Sequence, residues 1–172
     1  MEKIKAYLLK HSVSSNSQGA FSLQKKSNFG ERVGDKIQYS LSEALYLVDA
    51  KKIIVFQGNK ELNKKDLLKK FQRIDKKIEL KYSVFKDLRK RGYILKTALK
   101  FGADFRVYEK GSGPGKSHAK WLVFSESEST KISLHEFSAK NRVAHSTRKK
   151  LLLAIVDEEG KITYYEISWI KP

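Results

Sequence analysis

Tyr108, His118 and Lys149 supply the three kinds of group that metal-free cleavage of RNA requires. A base must take the proton from a ribose 2′-hydroxyl, and an acid must protonate the departing 5′-oxygen. A cation must stabilise the charge that builds on the phosphorane. Each residue alone is ordinary, since a strand tyrosine usually packs and a lysine at a strand edge is usually solvated. Spacing does not single these three out among eight Tyr and 36 Lys plus Arg. A tyrosine side chain ordinarily titrates at about 10, and nearby cations lower that value.

Other chemistries find less support. The chain has no cysteine, which removes disulfide frameworks, thiolate zinc sites and cysteine nucleophiles together. Its four histidines, His11, His118, His135 and His145, show no metal-ligand spacing, so no metal is expected. Gly111-Ser112-Gly113-Pro114-Gly115-Lys116-Ser117 evokes a phosphate-binding loop. It has three residues where that motif needs four, and an apolar strand follows in place of a helix. No nucleotide cofactor is expected. A Gly-x-Ser-x-Gly elbow is absent, Gly115 to Ala119 coming nearest.

The elements that would carry these residues read as follows. Lys5 to Leu9 is a short strand, and His11 to Lys36 reads as loops and short strands. Ser40 and Glu43 form a capping box that opens an amphipathic helix running to about Lys51. Ile53 to Phe56 reads as a buried strand. Asn63 starts a helix with Leu67, Leu68, Phe71, Ile74 and Ile78 on one face, and a further helix runs from Tyr82 to Arg91, stopped by Gly92. Strands follow at Tyr93–Leu99, Phe105–Tyr108 and Trp121–Phe124, then a helix from Leu134 to about His145 with Phe137 and Val143 inward. Leu151–Val156 reads as a buried strand, Asp157 to Gly160 as a turn, and Ile162–Ile170 as a strand of period 2. Ser125 to Thr130 reads as a variable loop. Tyr108 would end one strand, His118 follow a loop, and Lys149 open a buried strand.

Composition bounds the class. The chain has 172 residues and a formal charge of +17, with 40% hydrophobic residues and only ten Gly and two Pro. That length suits one domain or two small ones of roughly 80 residues. The longest apolar runs are too short to span a bilayer, and Met1-Glu2-Lys3-Ile4-Lys5 lacks a signal-peptide core. A soluble, cytoplasmic protein with a polyanionic partner is expected, nucleic acid before membrane. Lys60 to Lys100 concentrates the charge, with 15 Lys plus Arg against 5 Asp plus Glu, a net of +10. This is either a solvated helix face or a surface for phosphates.

The segment Tyr82-Ser83-Val84-Phe85-Lys86-Asp87-Leu88-Arg89-Lys90-Arg91-Gly92-Tyr93, then Phe101 to Tyr108, resembles the archaeal tRNA-splicing endonucleases. So do Arg142-Val143-Ala144-His145-Ser146-Thr147-Arg148-Lys149-Lys150 and Ala154-Ile155-Val156-Asp157. The N-terminal half matches mainly at Leu41 to Leu47. The resemblance implies an α/β (α+β) chain, with a small mixed N-terminal domain over 1–80 and a restriction-endonuclease-like catalytic domain over 81–172. It implies Tyr108 as general base, His118 as general acid and Lys149 as the transition-state cation. Lys149 rather than Lys150 follows the Thr147-Arg148 pair, and strand alternation would send the two lysines to opposite faces.

The resemblance also implies that Arg142 and Trp169, the latter from the terminal strand, grip a bulged base. It implies that the acidic turn Asp157-Glu158-Glu159 inserts into a basic groove of another subunit of a homotetramer, a groove for which Lys60 to Lys100 is a candidate as well as for phosphates. The expected reaction is excision of introns from precursor tRNA at helices flanked by bulges, giving a 2′,3′-cyclic phosphate and a 5′-hydroxyl without a metal. The alternative is a non-catalytic structural or RNA-binding subunit of a splicing complex, which would be expected to lack part of the triad.

Overall fold

The computed structural model describes residues 3–172, and the chain divides into two compact units that meet in sequence at Tyr82 and Ser83. The first unit holds a six-stranded sheet built from β1 (Ile4–Leu8), β2 (Val13–Ser15), β3 (Glu31–Val33), β4 (Lys36–Tyr39), β5 (Ile53–Gln57) and β6 (Lys60–Leu62). Their spatial order is β3-β4-β2-β1-β5-β6. Only β1 and β5 run parallel, with Ile4 opposite Ile53 and Tyr7 opposite Phe56.

Three helices accompany this sheet: α1 (Gln18–Ser27), α2 (Leu41–Asp49) and α3 (Lys64–Ile74). The capping box of α2 forms as the sequence requires, with the Glu43 amide donating to the Ser40 hydroxyl and the Ser40 amide to the Glu43 carboxylate. The same buried carboxylate also accepts from the Gly30 amide at 2.9 Å. Gly30 sits at φ +75°, and a Cβ there would fall 2.4 Å from Ile37 Cγ2, so only glycine fits where the chain passes β4.

Helix α1 corrects the reading of His11 to Lys36 as loops and strands. Its serines and glycine mask a helix whose N-cap is Ser17, whose hydroxyl accepts from the Ala20 amide, and which ends at Asn28 in the left-handed region. Helix α3 starts at its Asn63 cap but ends at Ile74, because Asp75 is extended. Ile78 therefore belongs to the next helix, α4 (Ile78–Lys90), which begins one turn earlier than Tyr82. Strand β5 is buried on alternate residues only, Ile53 and Val55, so it is one-faced rather than fully enclosed.

The second unit holds a five-stranded sheet of β7 (Ile94–Ala98), β8 (Ala103–Tyr108), β9 (Trp121–Ser127), β10 (Lys150–Val156) and β11 (Ile162–Ile167), in the order β11-β10-β9-β8-β7. Strands β9 and β10 are parallel and the other pairings antiparallel. Helix α5 (Leu134–Ser146) makes the crossover between the parallel pair, as such a pair demands. Its Ala144 packs with Leu122, Phe124 and Leu151, beside the half-buried Phe137 and Val143.

Two boundaries move. Ser125 to Ser127 extend β9 rather than forming loop, and Ser125 and Glu126 are buried. Strand β11 stops at Ile167, so Trp169 lies beyond it and not within the terminal strand. The chain is thus mixed α/β, with two sheets and five α-helices among the described residues. Among these, no helix is long and apolar enough to cross a membrane.

Candidate active site

The register of the second sheet decides what meets at its edge. Val107 of β8 stands opposite Trp121 of β9, and Trp121 opposite Lys150 of β10. The main chain continues that ladder by one step, the Lys120 amide donating to the Val107 carbonyl and the Lys150 amide to the Lys120 carbonyl. The end of β8, the approach to β9 and the approach to β10 therefore share one edge of the sheet. Tyr108, the loop that carries His118, and Lys149 all sit on that edge.

Tyr108 is the last residue of β8 and is buried. The chain then leaves the sheet as the loop 109–120, where His118 is exposed. The loop is tied at its base by the Glu109–Lys120 ion pair, and across its middle by the Ser112 and Ser117 hydroxyls. The glycine-rich segment forms turns in this loop and is followed by β9, so the helix that a phosphate-binding loop needs does not occur there.

Lys149 is placed by the end of α5. Thr147 donates its hydroxyl to the Val143 and Ala144 carbonyls. Arg148 then adopts the left-handed conformation at φ 56°, and the Lys149 amide returns to the Ala144 carbonyl at 2.8 Å. The Lys149 Nζ donates to the Thr147 carbonyl at 2.9 Å and lies 5.3 Å from the centre of the Phe101 ring. Burial first, and the Arg106 guanidinium second, hold its ammonium pKa below the ordinary lysine value. Lys149 precedes β10 rather than opening it; Lys150 is the first strand residue.

Arg106 was not singled out in the sequence. It lies two residues before Tyr108 in β8 and therefore on the same face. Its register partner in β7 is Lys96, which is buried. An i, i+2 scan from the tyrosine would have found Arg106, but Lys96 needed the pairing of β7 with β8.

Arg142 is exposed on α5, one turn before His145. The Trp169 indole stacks on the His145 imidazole, with ring centres 4.4 Å apart and an 11° angle between planes. Trp169 is 45% exposed, so it is not a core aromatic. Asp157, Glu158 and Glu159 form the turn between β10 and β11, at the opposite end of β10 from Lys149. The Asp157 carboxylate accepts from the Lys161 amide, and the Glu158 amide donates to the Glu128 carboxylate.

Two family descriptions match this chain. Residues 4–68 match the N-terminal domain of the tRNA intron endonucleases, and residues 78–164 match their catalytic C-terminal domain. Among curated relatives, a tRNA-splicing endonuclease of Nanoarchaeum equitans is 46% identical over 151 residues, covering 84% of this chain and 97% of that one. One of Thermococcus onnurineus is 43% identical over 149 residues, covering 87% and 85%. One of Methanothermobacter thermautotrophicus is 41% identical over 150 residues, covering 87% of each chain. With both domain matches and these relatives covering most of its length, the chain belongs to the tRNA intron endonuclease family.

Proposed function

We propose that this chain is an endoribonuclease that excises introns from precursor tRNA, cutting at helices flanked by bulges. Tyr108 takes the proton from the 2′-hydroxyl, and the 2′-oxygen then bonds to the adjacent phosphorus. The bond from phosphorus to the 5′-oxygen breaks as His118 protonates that oxygen, leaving a 2′,3′-cyclic phosphate and a 5′-hydroxyl. Lys149 offsets the extra negative charge on the phosphorane. No step in this sequence requires a metal ion.

The observation that carries this reading is the register Val107–Trp121–Lys150, which gives one sheet edge to the end of β8 and to the approaches to β9 and β10. Arg142 and Trp169 are the proposed grip on a bulged base, and Asp157 to Glu159 the proposed contact between subunits of a homotetramer.

The test is cleavage of a bulged precursor tRNA by the purified chain in EDTA, with the ends of the products identified. Cyclic phosphate and 5′-hydroxyl ends are expected, and their loss in His118→Ala with RNA binding retained. Normal cleavage by that variant would overturn the assignment. Binding without any cleavage by the unaltered chain would favour the non-catalytic subunit instead.

A further inference from the structure

The first unit has a cleft of about 330 Å³ at the carboxyl ends of its two parallel strands. Leu8, Leu9 and Lys10 line it where the chain runs off β1, and Lys70, Arg73 and Ile74 line it from the second half of α3. No carboxylate lines it. Two lysines of this unit pair with acids, Lys64 with Asp49 and Lys81 with Asp75, each at 2.7 Å. Lys10, Lys70 and Arg73 make no ion pair among the described residues.

Three unneutralised cations around one concavity focus a positive potential there, which attracts an anion. The apolar part of the lining narrows the class of anion. Leu9 is 46% exposed and Ile74 39%, so hydrophobic surface stands open beside the charges. A nucleic-acid backbone presents that combination, phosphates for the cations and ribose and base faces for the aliphatic side chains. Lys70, Arg73 and Ile74 lie in residues 69–77, outside both matched segments, so the family match assigns this wall no role.

We propose that this cleft is a second RNA site, distinct from the cleavage edge, which holds the sugar–phosphate backbone of the precursor tRNA. The identity of the RNA rests on the reading under Proposed function. The site adds affinity through contacts to phosphate and sugar, which carry no sequence information; Gln57, from the end of β5, also lines it.

The experiment uses the full chain and a precursor tRNA, measuring kcat and KM across a salt series. Lys10→Ala, Lys70→Ala and Arg73→Ala are combined in one variant. A control variant with Lys25→Ala, Lys26→Ala and Lys36→Ala removes the same charge from exposed positions of the same unit. The cleft variant should raise KM with the smaller change in kcat, and flatten the log–log salt dependence of binding by about 3, one for each lost phosphate contact. A charge-keeping variant with Lys10→Arg, Lys70→Arg and Arg73→Lys should restore both.

An equal effect from the control variant, or an unaltered KM and salt slope, overturns the proposal. So does a change in solution mass with the salt slope intact, which would assign the cleft to another protein chain. If the unaltered chain fails to cut precursor tRNA at all, the reading of function falls instead.

Discussion

Lys149 and Lys150 are consecutive, yet their ammonium groups go to different partners. Lys149 donates to the Thr147 carbonyl beneath the Phe101 ring, whereas Lys150 crosses to the Glu166 carboxylate on β11. Glu166 also accepts from the Trp121 indole at 2.7 Å, and these two bonds hold its carboxyl pKa below the ordinary value. The pair thus contains one lysine committed to a surface ion pair and one held against its own helix end.

The two lysines should therefore differ sharply on substitution. Lys149→Ala is expected to lower single-turnover cleavage by about 10²–10³-fold, the usual loss when one preorganised charge is removed from a transition state. Lys150→Ala should lose far less, because an exposed pair contributes only about 0–1 kcal/mol. Comparable losses from both would show that neither lysine acts as assigned.

The lowered pKa of Lys149 has a consequence for stability. A lysine whose pKa falls on folding leaves the folded state with fewer bound protons between that lowered value and the ordinary 10.5. Its charge is therefore a cost at neutral pH, relieved as pH rises through the window. Lys149→Met should melt no lower than the unaltered chain at pH 7, and any gain should shrink toward pH 10.5. Thermal melts across this range would check the sign.

Arg106 should act through Lys149. Removing its charge in Arg106→Gln takes away one of the two causes that depress the lysine, so the Lys149 pKa should rise. If Lys149 must be charged for cleavage, the alkaline limb of the single-turnover pH profile moves to higher pH. A limb that stays in place, measured against Lys149→Arg, would separate Arg106 from the chemistry.

Trp169 should matter for substrate rather than for folding. Loss of a base-stacking aromatic costs about 1–3 kcal/mol of binding, and at 45% exposure the indole contributes little core. Trp169→Ala and Arg142→Ala should weaken binding of a bulged RNA while leaving an unbulged duplex nearly unaffected. Calorimetric melts of both proteins should agree within about 0.5 kcal/mol, the usual range for surface substitutions.

Glu43 should matter for folding rather than for substrate. Glu43→Ala strands the amides of Ser40 and Gly30, each costing about 1–3 kcal/mol when left unsatisfied. A fall of several degrees in melting temperature is expected at roughly 2–4 °C per kcal/mol for a chain of this size.

Legibility in the sequence followed the range of the interaction. Ser40 with Glu43, the Asn63 cap and the Gly92 stop were readable because each is settled within a turn of helix. Helix α1 was not, because its apolar face is sparse and its caps, Ser17 and Asn28, are residues that also mark loops. The end of α3 was missed because Ile78 continues the helical spacing of Ile74 across a break that Asp75 makes with its backbone.

The sequence alone determined that the chain is basic, free of cysteine and built of mixed elements. Its resemblance selected Tyr108, His118 and Lys149, which spacing could not have done. The tertiary structure decided what surrounds them. Arg106 beside Lys149, Lys96 opposite Arg106 and Trp169 stacked on His145 all depend on strand register and on where α5 lands. The cleft of Lys10, Lys70 and Arg73 likewise joins residues sixty positions apart in sequence. Local rules fix a residue's own conformation, but pairing between distant strands and helices decides which charges and rings become neighbours.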